Sequence, residues 1–137
     1  FNLYGPNERP SRLMPGVILS ALRGEEIRVS ECRQMLDYLY VGDTARGIVD
    51  IFESDATDAV NVCSGKPVQL RAVVERIAAL TDFRGDIRWG AIPAAVEYPL
   101  IAGSNRKLAA LGWEPKVSLE EGLKKTVEWW KRRSCRV

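Results

Sequence analysis

The sequence predicts an α/β chain of helices alternating with short strands. Three observations carry that expectation. Apolar residues recur at helical spacing in several separated segments. Short runs rich in Val, Ile and Tyr lie between them. Gly and Pro punctuate the joints. The chain has 137 residues, 46% of them apolar and 28% charged. That balance belongs to a folded domain of ordinary size, not to a disordered segment. A chain this long can bury a core without disulfide staples.

The elements follow in order. Residues 1 to 6 read as the end of a strand and a turn at Gly5-Pro6. Residues 7 to 12 are polar, contain Pro10 and form a loop. Pro15 fits the first turn of a helix whose apolar face is Met14, Val17, Ile18, Ala21 and Leu22, with Gly24 as its stop. Residues 27–30 and 37–41 are strand candidates. Asp43 is expected to cap the next helix, where Ala45, Ile48, Val49 and Phe52 repeat at helical spacing. Residues 59–63 read as a buried strand, followed by a turn at Ser64-Gly65-Lys66-Pro67. Leu70, Val73, Val74 and Ile77 form the clearest helical stripe. Ile87-Arg88-Trp89 is a short strand, and residues 90–99 are a loop. Ser104 is expected to cap a short helix ending at Gly112. Ser118 and Glu121 have capping-box spacing before a last helix with Leu119, Leu123, Val127 and Trp130 on one side.

Charge and cysteine content exclude several functions. Lys and Arg total 20 against 18 Asp and Glu, a net charge of +2. That is too small for a nucleic-acid or membrane-surface protein. The basic cluster Lys131, Arg132, Arg133 and Arg136 reads as a solvated terminus. Cys32, Cys63 and Cys135 show no CxxC spacing, and the chain has no histidine. A zinc site is not expected, and the thiols read as reduced cysteines of a cytoplasmic protein. No apolar run is long enough to span a membrane. Lys66 follows Ser64-Gly65 but lacks the rest of a phosphate-binding loop. Phe1 in place of a starting Met is expected of a fragment.

Five motifs then appear in fixed order: Phe1-Asn2-Leu3-Tyr4-Gly5-Pro6; Leu13-Met14-Pro15; Gln34 to Asp43, ending Tyr40-Val41-Gly42-Asp43; Asn61-Val62-Cys63-Ser64-Gly65; and Leu111-Gly112-Trp113-Glu114-Pro115 before Ser118 to Leu123. Together they resemble the C-terminal, substrate-binding portion of the extended short-chain dehydrogenase/reductase family, the NAD-dependent sugar-nucleotide epimerases and dehydratases. The resemblance implies one unit over 1–137: a C-terminal substrate-domain fragment, helices with short strands, lacking most of the Rossmann sheet. The family's glycine-rich dinucleotide turn and its Tyr-x-x-x-Lys pair precede the first motif, and neither is present. No catalytic residue is therefore expected here. NAD or NADP would bind the intact protein and not this fragment alone.

The resemblance also assigns candidate residues. Asn2 matches an asparagine that holds the substrate diphosphate. Arg12 and Leu13 match positions that reach the phosphate and the nucleobase. Tyr4, Gly5 and Pro6 match the loop beside the nicotinamide ring, and fit equally a tight turn packed by an aromatic. Leu36 stands where the family places a diphosphate-clamping arginine, and residues 91–96 lack a second one. Arg33, three residues earlier, is the nearest substitute. Asp37 is read as structural. Trp113 is expected under the last helix, and adjacent Trp129 and Trp130 cannot both face the core. The implied partners are a nucleotide-sugar substrate, the missing N-terminal Rossmann half and, in a homo-oligomer, a second copy. Two functions fit: the substrate-holding part of an NAD(P)-dependent epimerase or dehydratase, or a free-standing binding module derived from that family without catalysis.

Overall fold

The computed structural model describes residues 1–94 and 99–134. Cys135, Arg136 and positions 95–98 of the expected loop lie outside the described residues. The elements run β1 (Asn2–Tyr4), α1 (Leu13–Arg23), β2 (Ile27–Arg28), β3 (Met35–Leu36), β4 (Tyr38–Tyr40), α2 (Val41–Phe52), β5 (Val68–Gln69), α3 (Leu70–Leu80), β6 (Ile87–Arg88), β7 (Leu100–Ile101), α4 (Arg106–Ala110) and α5 (Leu119–Ser134). The α/β expectation holds, with strands of two or three residues. β1 pairs with β4 and β2 with β6, both parallel; β3 lies between antiparallel β5 and parallel β7.

Helices α1, α3 and α5 pack on one another through the stripes their sequences display. Met14, Val17 and Ile18 of α1 meet Val73, Val74 and Ile77 of α3 and Leu123, Val127 and Trp130 of α5 in one buried cluster. Gly24 ends α1 in the left-handed region, φ 68°, where glycine avoids a Cβ clash. Arg76 forks onto Glu120 to join α3 to α5, and Lys131 Nζ donates to the terminal carbonyl of Leu80 at 3.2 Å. Trp130 is buried, while Trp129 lies half-buried against it, edge to face at 4.8 Å. At the start of α5, Glu121 N–H donates to Ser118 Oγ at 3.2 Å, but the Glu121 carboxylate pairs with Lys125 instead of closing the box.

The path from β3 through Asp37 into β4 changes sheets at one residue. Asp37 is fully buried. Its backbone N–H donates to Ile101 O and its carbonyl accepts from Asn2 N–H. Its Oδ1 accepts from Ser64 N–H at 2.9 Å and Ser64 Oγ at 2.6 Å; its Oδ2 accepts from Gly65 N–H at 2.9 Å and Gly103 N–H at 3.2 Å. Gly65 has φ 72°, a conformation open to glycine that lets consecutive N–H groups converge on one anion. The Asp37 strand and the Ser64-Gly65 turn, two separate motifs in the sequence, are thus two sides of one hydrogen-bonded joint.

A second joint holds α2. Asp43 is not the N-cap; that position is Tyr40, and Asp43 lies in the first turn. Its Oδ2 accepts from Val117 N–H at 2.9 Å and its Oδ1 from Arg46 at 2.6 Å, while its carbonyl accepts from Trp113 Nε1 at 3.2 Å. Trp113 therefore packs against α2, with Leu39 and Leu108, and not under α5. Gly47 makes this possible, since a Cβ there would stand 3.1 Å from both Leu108 and Trp113.

Other expectations change. Residues 59–63 are not a strand; Val60 and Val62 instead lean on the Trp113 cluster from an irregular segment. Strands β3, β5 and β7 are too short to show period-two patterning, and the sequence did not mark them as separate elements. Asn105, not Ser104, takes the N-cap of α4, with no side-chain cap bond. Helix α2 turns its apolar side away from the core. Its buried face is Asp43, Thr44 and Gly47, and its apolar stripe points outward, with Ile48 57%, Val49 51% and Phe52 89% exposed.

The Asp43 joint gives a pH signature. Burial raises its pKa, but the hydrogen bonds from Arg46, Val117 and Lys116 outweigh burial and hold the carboxyl below its ordinary 3.8. A depressed folded pKa means stability that is complete above the unfolded value and lost as pH falls through the folded one. Asp43→Asn should cost about 1.5–3 kcal/mol at neutral pH, the scale of a hydrogen bond to a charged group. The gap between the two proteins should shrink as pH falls below 3.8. Urea denaturation at a series of pH values reads both; a gap that stays constant into acid contradicts the assignment.

Candidate functional site

The largest concentration of the expected site residues surrounds a cavity of about 270 Å³ between β1, the 8–13 loop and β3. Its lining is mostly apolar, from Leu13, Met14, Leu36, Leu70 and Ile92, with Asn2, Glu8, Arg12, Ser30 and Tyr38 as polar groups. A small apolar cavity with a few convergent polar groups is the usual form of a small-molecule site.

Each polar group arrives by a local rule. Asn2 stands in β1, held there by the parallel ladder to Tyr38. Among the described residues its side chain makes one hydrogen bond, a long one from Nδ2 to the Asp37 carbonyl at 3.5 Å. Arg12 is the N-cap residue of α1, and its side chain is 61% exposed. It is not an isolated cation: Arg12 Nε lies 3.6 Å from Glu8 Oε1. Burial raises the Glu8 pKa, against the pull of Arg12. Leu13 opens α1 beside them. Tyr38 is pushed up to about 12, by burial first and by the Glu8 charge second. It is therefore a neutral phenol at neutral pH, able to donate and accept but not to act as a base.

The remaining candidates lie elsewhere. Arg33 does not line the cavity; its guanidinium is exposed and lies 3.5 Å from Glu31. Tyr4 is buried, with its ring edge-on to Tyr38 and Tyr40 and pressed on Gly122 of α5. Its hydroxyl reaches Leu119 O at 3.4 Å, and burial raises its pKa, the reverse of an activated tyrosine. Gly5 and Pro6 form the turn beyond it, where a Cβ on Gly5 would meet Val41. Leu36 both lines the cavity and belongs to the main core. Glu8 was not singled out from the sequence; a lone glutamate in a polar loop carries no signal until folding buries it. Cys32 and Cys63 are free and buried. No helix among the described residues is long and apolar enough to cross a membrane.

Residues 1–63 match the model of the NAD dependent epimerase/dehydratase family. The chain is 30% identical to GDP-L-fucose synthase 1 of Arabidopsis thaliana, over 98% of this chain and 45% of that protein. It is 32% identical to dTDP-glucose 4,6-dehydratase 1 of Escherichia coli, over 94% of this chain and 38% of that one. The fold superposes on UDP-glucose 4-epimerase of Thermotoga maritima, solved with UDP-glucose, with a TM-score of 0.90 at 28% identity, covering 97% of this chain and 44% of that chain. It superposes on dTDP-glucose 4,6-dehydratase of Bacillus anthracis, solved with NAD, with a TM-score of 0.87 at 26% identity, covering 96% and 42%. The chain spans less than half the length of the proteins it matches. By sequence and by fold the chain resembles the extended short-chain dehydrogenase/reductase family of NAD-dependent epimerases and dehydratases.

Proposed function

We propose that this chain is the substrate-holding part of an NAD(P)-dependent sugar-nucleotide epimerase or dehydratase, a C-terminal unit over 1–137 that is inactive alone. The observation that carries the reading is the cavity that gathers Asn2, Arg12 and Leu13 from a strand, a loop and a helix start. Two of them supply hydrogen-bond donors for phosphate oxygens, and the apolar lining suits a ring. Asn2 is the better-placed donor, because Arg12 already leans on Glu8. Arg33, which faces solvent beside Glu31, makes at most a peripheral contact with a ligand that extends beyond the cavity.

The second support is the outward stripe of α2. Apolar side chains this exposed on one helix face mark a contact surface. Phe1 and Leu3 at β1 add to it, 49% and 44% exposed. In this reading the dinucleotide-binding half covers α2 and extends the sheet beyond β1. Tyr4, Gly5 and Pro6 then lie at the border between the halves, with Gly5 and Pro6 offering backbone to the nicotinamide end of the cofactor. Cofactor binding and hydride transfer belong to the covering half, in a cytoplasmic protein with reduced thiols.

Two outcomes test this. In calorimetry the 137-residue chain should bind UDP-glucose or a GDP-sugar, and Asn2→Ala or Arg12→Ala should weaken that binding about ten-fold or more, the scale of one charge-assisted hydrogen bond. It should bind neither NAD nor NADP and turn over no sugar nucleotide; micromolar cofactor affinity or turnover contradicts the division of labour. Separately, the chain should self-associate or bind an apolar dye, and the double change Ile48→Glu, Phe52→Glu should suppress this while altering stability by less than about 0.5 kcal/mol. A monomer without dye binding at high concentration argues against the covered face.

A further inference from the structure

We infer that Glu8 is a specificity-determining residue of the cavity, one that reads a pair of adjacent hydrogen-bond donors on the ligand and so favours a guanine base over uracil. The inference rests on the cavity being the nucleotide site proposed above, and it concerns which nucleotide enters.

The two carboxylate oxygens of Glu8 are unequally paired. Glu8 lines the cavity, and its side chain is only 19% exposed. One oxygen, Oε1, has Arg12 at 3.6 Å, longer than a well-formed charge-assisted bond. The other, Oε2, is shielded from solvent and has no hydrogen-bond partner among the described residues. An anionic oxygen withdrawn from water without a donor is costly, and a ligand that supplies one recovers that cost. The terminal torsion of glutamate is broad and two-fold, so the carboxylate can turn either oxygen to the cavity.

The chemistry of the carboxylate then selects the ligand. An ionised carboxylate only accepts hydrogen bonds. Guanine presents N1–H and the exocyclic N2 amino group side by side, two donors matching two carboxylate oxygens. Uracil and thymine present one N–H flanked by two carbonyl oxygens, which would face the carboxylate with like partial charge. Adenine and cytosine present an amino group beside an acceptor nitrogen. A site that spends a buried polar group on one pattern rejects ligands lacking it more strongly than an apolar pocket can. Leu13, Met14 and Ile92 supply surfaces for the base.

The experiment compares GMP with UMP, which carry the same phosphate, so the difference reports the base. The 137-residue chain is titrated with each and followed by amide resonances and calorimetry. GMP should bind at least about ten-fold more tightly than UMP. Glu8→Gln should abolish or reverse that preference, because a carboxamide pairs with the N–H and carbonyl edge of uracil. Glu8→Ala should abolish it without reversal. Unchanged resonance dispersion and melting temperature establish that each variant folds; if one does not, the other decides. Equal binding of GMP and UMP to the unaltered chain overturns the inference and leaves the proposed function standing. So does a GMP preference that both variants retain. Tighter binding of both nucleotides by Glu8→Gln, with no change in their ratio, shows that Glu8 only masks Arg12 and likewise overturns it. No binding of either nucleotide, or of UDP-glucose, overturns both readings.

Discussion

The described structure hangs on the carboxylate of Asp37. The chain passes from a sheet with β5 and β7 into a sheet with β1 at this single residue, and its main chain bonds to both. Its side chain then collects four donors, from Ser64, Gly65 and Gly103. A buried carboxylate is tolerated only when its lone pairs are filled, and these are filled almost entirely by backbone N–H groups of two loops. The consequence for function is positional. Asn2 is registered against Tyr38 immediately after Asp37, and Leu36 immediately before it lines the same cavity.

Asp43 repeats the device one helix turn further on. Its carboxylate accepts from Val117 and Arg46 and its carbonyl from Trp113, which fixes the Trp113–Val117 segment against the start of α2. These two aspartates explain why the motifs appear as they do. Asp37 and Ser64-Gly65, like Asp43 and Trp113-x-Pro115, are far apart in the chain and in direct contact in the fold.

What the sequence revealed follows from what forms locally. Helices α1, α3 and α5 were legible because their apolar stripes meet one another in a shared core, so periodicity and burial agree. Helix α2 was legible as a helix with one apolar side, though its local pattern does not show what covers that side. Periodicity shows that Ala45, Ile48, Val49 and Phe52 share a side, but it does not say whether the surface that covers them is in the same chain. The bonds that tie Asp43 to Trp113 and Val117 are non-local, and no local pattern encodes them. Strands of two residues carry no alternation to detect, so β3, β5 and β7 emerged only from pairing. The cavity was half legible: Asn2, Arg12 and Leu13 come together, Arg33 stays outside, and Glu8 gains its significance only from being half-buried beside Arg12.

The most direct test of this account is amide hydrogen exchange on Asp37→Asn, combined with urea denaturation. An asparagine is nearly the same shape but turns one acceptor into a donor facing N–H groups. The account predicts a loss of about 2–4 kcal/mol. It also predicts a joint rise in exchange at Ser64, Gly65 and Gly103 and at Asn2 in β1, while α1, α3 and α5 stay protected relative to the lowered global stability. Unchanged protection at Ser64, Gly65 and Gly103, or a stability within about 0.5 kcal/mol of the unaltered chain, would contradict the claim that one carboxylate joins the sheets and sets the cavity.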